Sequence, residues 1–165
     1  MSKILTPAQV VGYLAYLLGV IAFSQKADRR LKAFSATQST VYSLHFFLLG
    51  NVPACAAAFL SATRSTLALR YRSLLLGAVM VLLNLAAGLM FVKTPAGWLP
   101  VVGSCIAAAA MFTVEGVPLR VCLLVSTALW LVNGILSGSI GGTLLELTIA
   151  AVSSTTIWRM TRVEA

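Results

Sequence analysis

The stretch Tyr42-Ser43-Leu44-His45-Phe46-Phe47-Leu48-Leu49-Gly50 returns 88 positions later as Trp130-Leu131-Val132-Asn133-Gly134-Ile135-Leu136-Ser137-Gly138. Both copies keep an aromatic residue, a polar residue three places on, then Leu and Gly. Upstream of the first copy, Val10-Val11-Gly12 likewise returns as Val101-Val102-Gly103. Each half therefore opens on a similar apolar segment and continues with two more. The run at about 73–92 has no counterpart. This pattern predicts an all-α membrane protein of seven transmembrane helices, arranged as two parallel three-helix bundles plus one linker helix. It implies a single transmembrane domain over 1–165, with internal repeats at about 8–72 and 98–162 and the linker at about 73–92. Parallel repeats related by an axis along the membrane normal put a site between the halves, near the bilayer midplane.

Composition sets the solvent. Hydrophobic residues make up 59% of the chain and charged residues 10%, against roughly 45–50% and about 25% in soluble domains. The mean hydropathy is +0.96. The expected surroundings are a lipid bilayer. A net charge of +8 raises the question of nucleic acid, but no zinc-finger spacing, aromatic RNA-binding box or Gly-rich phosphate loop accompanies it. No nucleic-acid partner is expected, and the charge reads as loop charge that fixes orientation.

Gaps between charges mark the spans, at about 8–24, 34–49, 54–69, 73–92, 98–114, 120–137 and 143–158. Several are shorter than the usual ~20 residues, which local thinning of the bilayer accommodates. With the N-terminus outside, Lys26, Arg29, Arg30, Lys32, Arg70, Arg72, Arg120, Arg159 and Arg162 face the cytoplasm, and only Lys3 and Lys93 face away. This asymmetry predicts a multi-pass protein of a bacterial inner membrane with its C-terminus cytoplasmic. The first segment resembles a signal peptide, ending at Ala22-Phe23-Ser24. The dense basic cluster behind it resists export, so retention is expected.

Ala-rich segments three and five suit close helix packing. Trp98 and Trp158 read as interfacial anchors. Cys55, Cys105 and Cys122 show no metal-ligand or disulfide spacing. Neither a metal nor a cofactor is expected.

Polar groups at span depth carry the functional reading, because they are costly there and usually face a cavity or a partner. Glu146 is the acid deepest in a span. His45 is the sole histidine, and Asn133 is its repeat-mate. Asn84 and Arg64 also lie within spans. Each has a plainer reading. Glu146 pairs with Arg64 or bonds Asn133. His45 donates to a carbonyl of segment three. Asn84 and Asn133 join helices. Arg64 snorkels to the surface.

Four strings spread across the chain resemble the YgjV family of bacterial inner-membrane proteins: His45-Phe46-Phe47-Leu48-Leu49-Gly50, Leu69-Arg70-Tyr71-Arg72-Ser73, Leu99-Pro100-Val101-Val102-Gly103, and Gly138-Ser139-Ile140-Gly141-Gly142-Thr143 followed by Glu146. That resemblance implies topology and no particular activity. More distantly, the stretch from Trp130 to Gly138 resembles the second helix of the SWEET, SemiSWEET and PQ-loop group. There, an aromatic residue and an Asn sixteen places on line a sugar site. The matching positions here are Trp130 with Glu146, and Tyr42 with Ala58. The group's Asn is replaced in both halves, its Tyr is replaced by Asn133 and His45, and the Pro-Gln dipeptide is absent. An acid and a His suit a cationic or proton-coupled solute better than a sugar.

The expected function is a small-solute transporter or permease. Its substrate-binding residues are Glu146, Trp130, Asn133, His45 and Tyr42, and the solute is unknown and proton-coupled. The alternative is a non-transporting receptor, scaffold or regulatory subunit. A homo-oligomer is compatible with either. An enzyme is not expected, since no paired carboxylates, Ser-His-Asp set or metal motif is present and no catalytic residue is assigned.

Overall fold

The computed structural model describes residues 6–48, 52–136 and 140–162. Lys3, Gly50, Asn51 and residues 137–139, where the sixth expected span ends and the turn expected over 138–142 begins, lie outside them. Seven α-helices are present among the described residues: α1 (Pro7–Ser24), α2 (Asp28–Leu48), α3 (Val52–Arg70), α4 (Leu74–Phe91), α5 (Trp98–Thr113), α6 (Gly116–Leu136) and α7 (Ile140–Thr161). A 3-10 turn at Pro95–Gly97 precedes α5, and no strand occurs among the described residues.

Local chemistry sets several helix ends. Thr6 caps α1, its Oγ1 accepting from the Gln9 N–H at 3.3 Å, and Pro7 supplies a pre-set φ at the first helical position. Ser73 caps α4 in the same way through the Leu76 N–H, at 3.4 Å. Gly116 opens α6 at φ +64°, a backbone angle that a side chain disfavours.

Three helices start at least three residues earlier than the charge gaps predict. α2 begins at Asp28, α6 at Gly116 and α7 at Ile140, not near Phe34, Arg120 and Thr143. Charge in a first turn does not break a helix, and Asp28 suits the positive end of the helix dipole. Lys32 and Arg120 are in fact buried, at 5% and 2% exposure.

The helices keep the spacing of the sequence motif. α2 and α6 are each 21 residues long and begin 88 positions apart. α3 and α7 also begin 88 apart, and α1 and α5 begin 91 apart. Burial follows the same offset: Leu31 with Leu119, Lys32 with Arg120, Ser65 with Ser153, and Ala68 with Thr156 are all buried.

The chain divides into two compact units, Met1–Arg70 and Tyr71–Ala165. In the first, α2 packs on both α1 and α3. The contact face of α1 is a stripe of small residues, Ala8, Ala15, Gly19 and Ala22, which lets backbones approach closely. The Ser43 hydroxyl on α2 donates to the Cys55 carbonyl oxygen on α3 at 3.0 Å.

In the second unit α4, α5, α6 and α7 pack as consecutive neighbours. The expected linker α4 thus belongs to this unit. Gly77 of α4 lies against Phe112, and Gly88 against Val101 and Trp98. Trp98 therefore packs on a helix and is not a simple lipid anchor. The exposed Arg72 and Glu115 pair at 3.0 Å, and Arg72 Nη2 also donates to the Thr113 carbonyl at 3.2 Å. These bonds fasten the start of α4 to the end of α5.

Four stretches among the described residues are long and apolar enough to cross a membrane: Pro7–Ser24, Leu74–Phe91, Pro95–Thr113 and Gly116–Asn133. α2, α3 and α7 carry more hydroxyl and charged side chains. Many of those hydroxyls bond back to the preceding turn, as Thr37, Thr40, Thr63, Thr66, Thr148 and Thr156 do. This local bonding reduces the cost of a hydroxyl in an apolar setting.

Candidate functional site

The five candidate residues fall into both units. Tyr42 and His45 stand on α2 of the first, while Trp130 and Asn133 on α6 and Glu146 on α7 belong to the second.

His45 is buried. Its Nδ1 lies 2.7 Å from the Ala8 carbonyl oxygen. A carbonyl only accepts, so Nδ1 carries the proton and, in the neutral ring, Nε2 is left as an acceptor. The acceptor lies on α1 and not, as expected, on the third helix. The ring also lies against Gly12, where an added Cβ would sit 2.8 Å from Cε1 and 2.9 Å from Nδ1. Tyr42 stacks parallel to His45, with centroids 5.6 Å apart and planes 3° apart, and Phe46 tilts against both rings. This cluster joins α1 to α2.

In the second unit, a Cβ placed on Gly103 of α5 would meet Ser126 Oγ at 3.2 Å and Trp130 Cδ1 at 3.3 Å. The indole therefore lies across a glycine of the preceding helix. Glycine contacts an aromatic ring in both units, but the partner ring is at 45 in one and at 130 in the other. The registers thus differ by about one turn.

Trp130 stands six residues before the end of α6, and Glu146 six residues after the start of α7. In two neighbouring helices joined by a short connection these positions share one level, about 9 Å from the helix ends. Asn133 and Glu146 are both half-buried. Among the described residues neither side chain has a hydrogen bond or an ion pair. The expected bond between Asn133 and Glu146 is not formed. A half-buried carboxyl at this depth, with an indole at its level on the neighbouring helix, can accept hydrogen bonds from a solute or hold a proton.

The other polar residues at span depth serve packing. Asn84 Nδ2 donates to the Met80 carbonyl at 2.7 Å, within its own helix and not across helices. Cys55, Cys105 and Cys122 are half-buried and form no disulfide among the described residues. No three His, Cys, Asp or Glu side chains gather among the described residues. Buried Lys32 and Arg120 escaped the sequence reading, which treated them as loop charges. The 88-residue spacing that places Leu31-Lys32 on Leu119-Arg120 was the signal available.

Over residues 6–164 the chain matches the Imp-YgjV family, described as bacterial inner membrane protein. It is 37% identical over 156 residues to "Inner membrane protein YgjV" of Escherichia coli (strain K12), covering 93% of this chain and 85% of that protein. No solved structure matches it. An all-helical chain with several membrane-length apolar helices, matched over nearly its whole length, belongs to the Imp-YgjV family of bacterial inner membrane proteins.

Proposed function

We propose that the protein is a small-solute permease of the bacterial inner membrane, with Glu146 as the ligand that selects a cationic or proton-donating solute. One observation carries this reading. Glu146 is half-buried deep in α7, without a hydrogen bond or ion pair among the described residues. An acid left in that state inside a membrane has a functional use by default. Trp130 at the same level offers a flat apolar wall, and Asn133 an amide.

The reading extends to a SWEET-like construction from two repeats and a linker helix, with the N-terminus outside and the C-terminus cytoplasmic. The common spacing of helix starts and buried residues supports the repeats. The surplus of exposed Lys and Arg at alternate helix ends, Lys26, Arg29, Arg30, Arg70, Arg72, Arg159 and Arg162 against Lys93, supports the orientation. Proton coupling fits an acid as the central ligand, and no enzymatic activity is part of the proposal.

The test is thermal unfolding of the full chain in nanodiscs, against a panel of small amines, zwitterions and sugars. A cationic solute should stabilise the wild type and leave Glu146→Gln unshifted, while that variant still inserts and folds. A solute that stabilises both equally removes Glu146 from the site.

A second reading, a non-transporting scaffold or receptor, draws on the first unit. There His45 is tied to Ala8 and Gly12 as a packing group. His45→Ala should then cost stability without altering solute selectivity.

A further inference from the structure

We propose that Trp158 and Arg162, at the C-terminal end of α7, form a clamp for the phosphate of an anionic phospholipid. The guanidinium carbon of Arg162 sits 4.0 Å over the Trp158 ring centroid. Both residues are exposed, Trp158 at 54%. A cation–π contact with an indole restrains a guanidinium and leaves its N–H groups able to donate to a ligand. Among the described residues those N–H groups have no acceptor. A planar fork held in one orientation matches two oxygens of a phosphate.

The rest of α7 leads to this point. Leu144, Leu147 and Ala151 are exposed at three- and four-residue spacing in line with Trp158 and Arg162, so one helix face carries them all. The apolar part of that face suits an acyl chain, and Trp is the residue type that settles at headgroup level. Arg159, also exposed, adds a second positive charge on the same turn. Two arginines repel the ammonium group of a zwitterionic headgroup, which selects phosphatidylglycerol over phosphatidylcholine. The inference does not depend on the permease reading.

The test is native mass spectrometry of the full chain released from nanodiscs of mixed phosphatidylglycerol and phosphatidylcholine. The wild type should retain phosphatidylglycerol preferentially. Arg162→Gln should reduce that preference about five-fold, the usual effect of one basic residue at an anionic surface. Trp158→Leu and Arg162→Lys both keep one positive charge at 162, yet both should lose several-fold because the fixed fork is lost. Trp158→Phe keeps a ring and should keep most of the preference. Both positions changed are exposed, and unchanged unfolding temperatures will show that each of the four variants is folded. Unchanged preference in Arg162→Gln overturns the clamp. Full preference in both Arg162→Lys and Trp158→Leu reduces it to screened surface charge and overturns it too. Displacement of the lipid by millimolar inorganic phosphate would assign the site to a free anion and overturn the lipid assignment.

Discussion

His45 lies against the bare backbone of Gly12, with its Nδ1 donating to the Ala8 carbonyl oxygen one helical turn earlier at 2.7 Å. The missing Cβ and the hydrogen bond depend on each other. The ring reaches the carbonyl because nothing at position 12 holds it off. Gly12→Ala should therefore destabilise the protein by about 1–3 kcal/mol, the usual cost of forcing an atom into a packed contact. Thermal unfolding in detergent measures it. In Gly12→Ala combined with His45→Ala the two costs should be clearly less than additive, since the second change removes the ring that the first one meets. Full additivity would mean that the contact does not hold α1 to α2.

The Arg72–Glu115 pair is short, at 3.0 Å, but both side chains are mostly exposed, at 60% and 51%. Water and salt screen such pairs, so the expected coupling is below about 1 kcal/mol. A double-mutant cycle with Arg72→Gln and Glu115→Gln, read by thermal unfolding at low salt and again in molar salt, checks this. The coupling should fade at the higher ionic strength.

Arg120 behaves differently because it is 2% exposed. Its Nη1 donates to the Gly116 carbonyl oxygen at 3.1 Å, and its stem fills space beside Leu119 in the chain. Arg120→Ala removes both the bond and the packing, for an expected loss of about 2–4 kcal/mol. Arg120→Lys places there the residue type found at the corresponding position 32. It should recover most of that loss. Equal damage from both variants, measured by unfolding temperature, would separate the two positions.

The sequence reading located all seven helices because apolar runs and breaks between them are written directly in composition. It failed where charge was treated as a stop signal. Asp28, Arg29 and Arg30 sit inside the first turn of α2, where the helix dipole favours Asp28 and solvent accommodates the two exposed arginines. The polar residues at depth were legible as residue types but not as contacts. That His45 binds Ala8 depends on Gly12 facing it across a helix pair, and Gly12 looks like any other glycine in an apolar run. Asn84 was read as a link between helices, yet the nearest acceptor is the Met80 carbonyl four residues back. Trp158 was read only as an interfacial anchor, and the Arg162 guanidinium over its ring, one turn on, follows from rotamers that the sequence does not show.

The central claim is that Glu146 faces water-reachable space within the membrane. The most direct measurement replaces Cys55, Cys105 and Cys122 with Ser or Ala, introduces Glu146→Cys, and exposes native membranes to a small, charged thiosulfonate. The account predicts that the introduced thiol reacts in the folded protein, at a rate well above that of a thiol introduced at the buried Ser153, and that a binding solute slows the reaction. A thiol at 146 that reacts only after denaturation would place the side chain in a dry helix contact and contradict the permease reading.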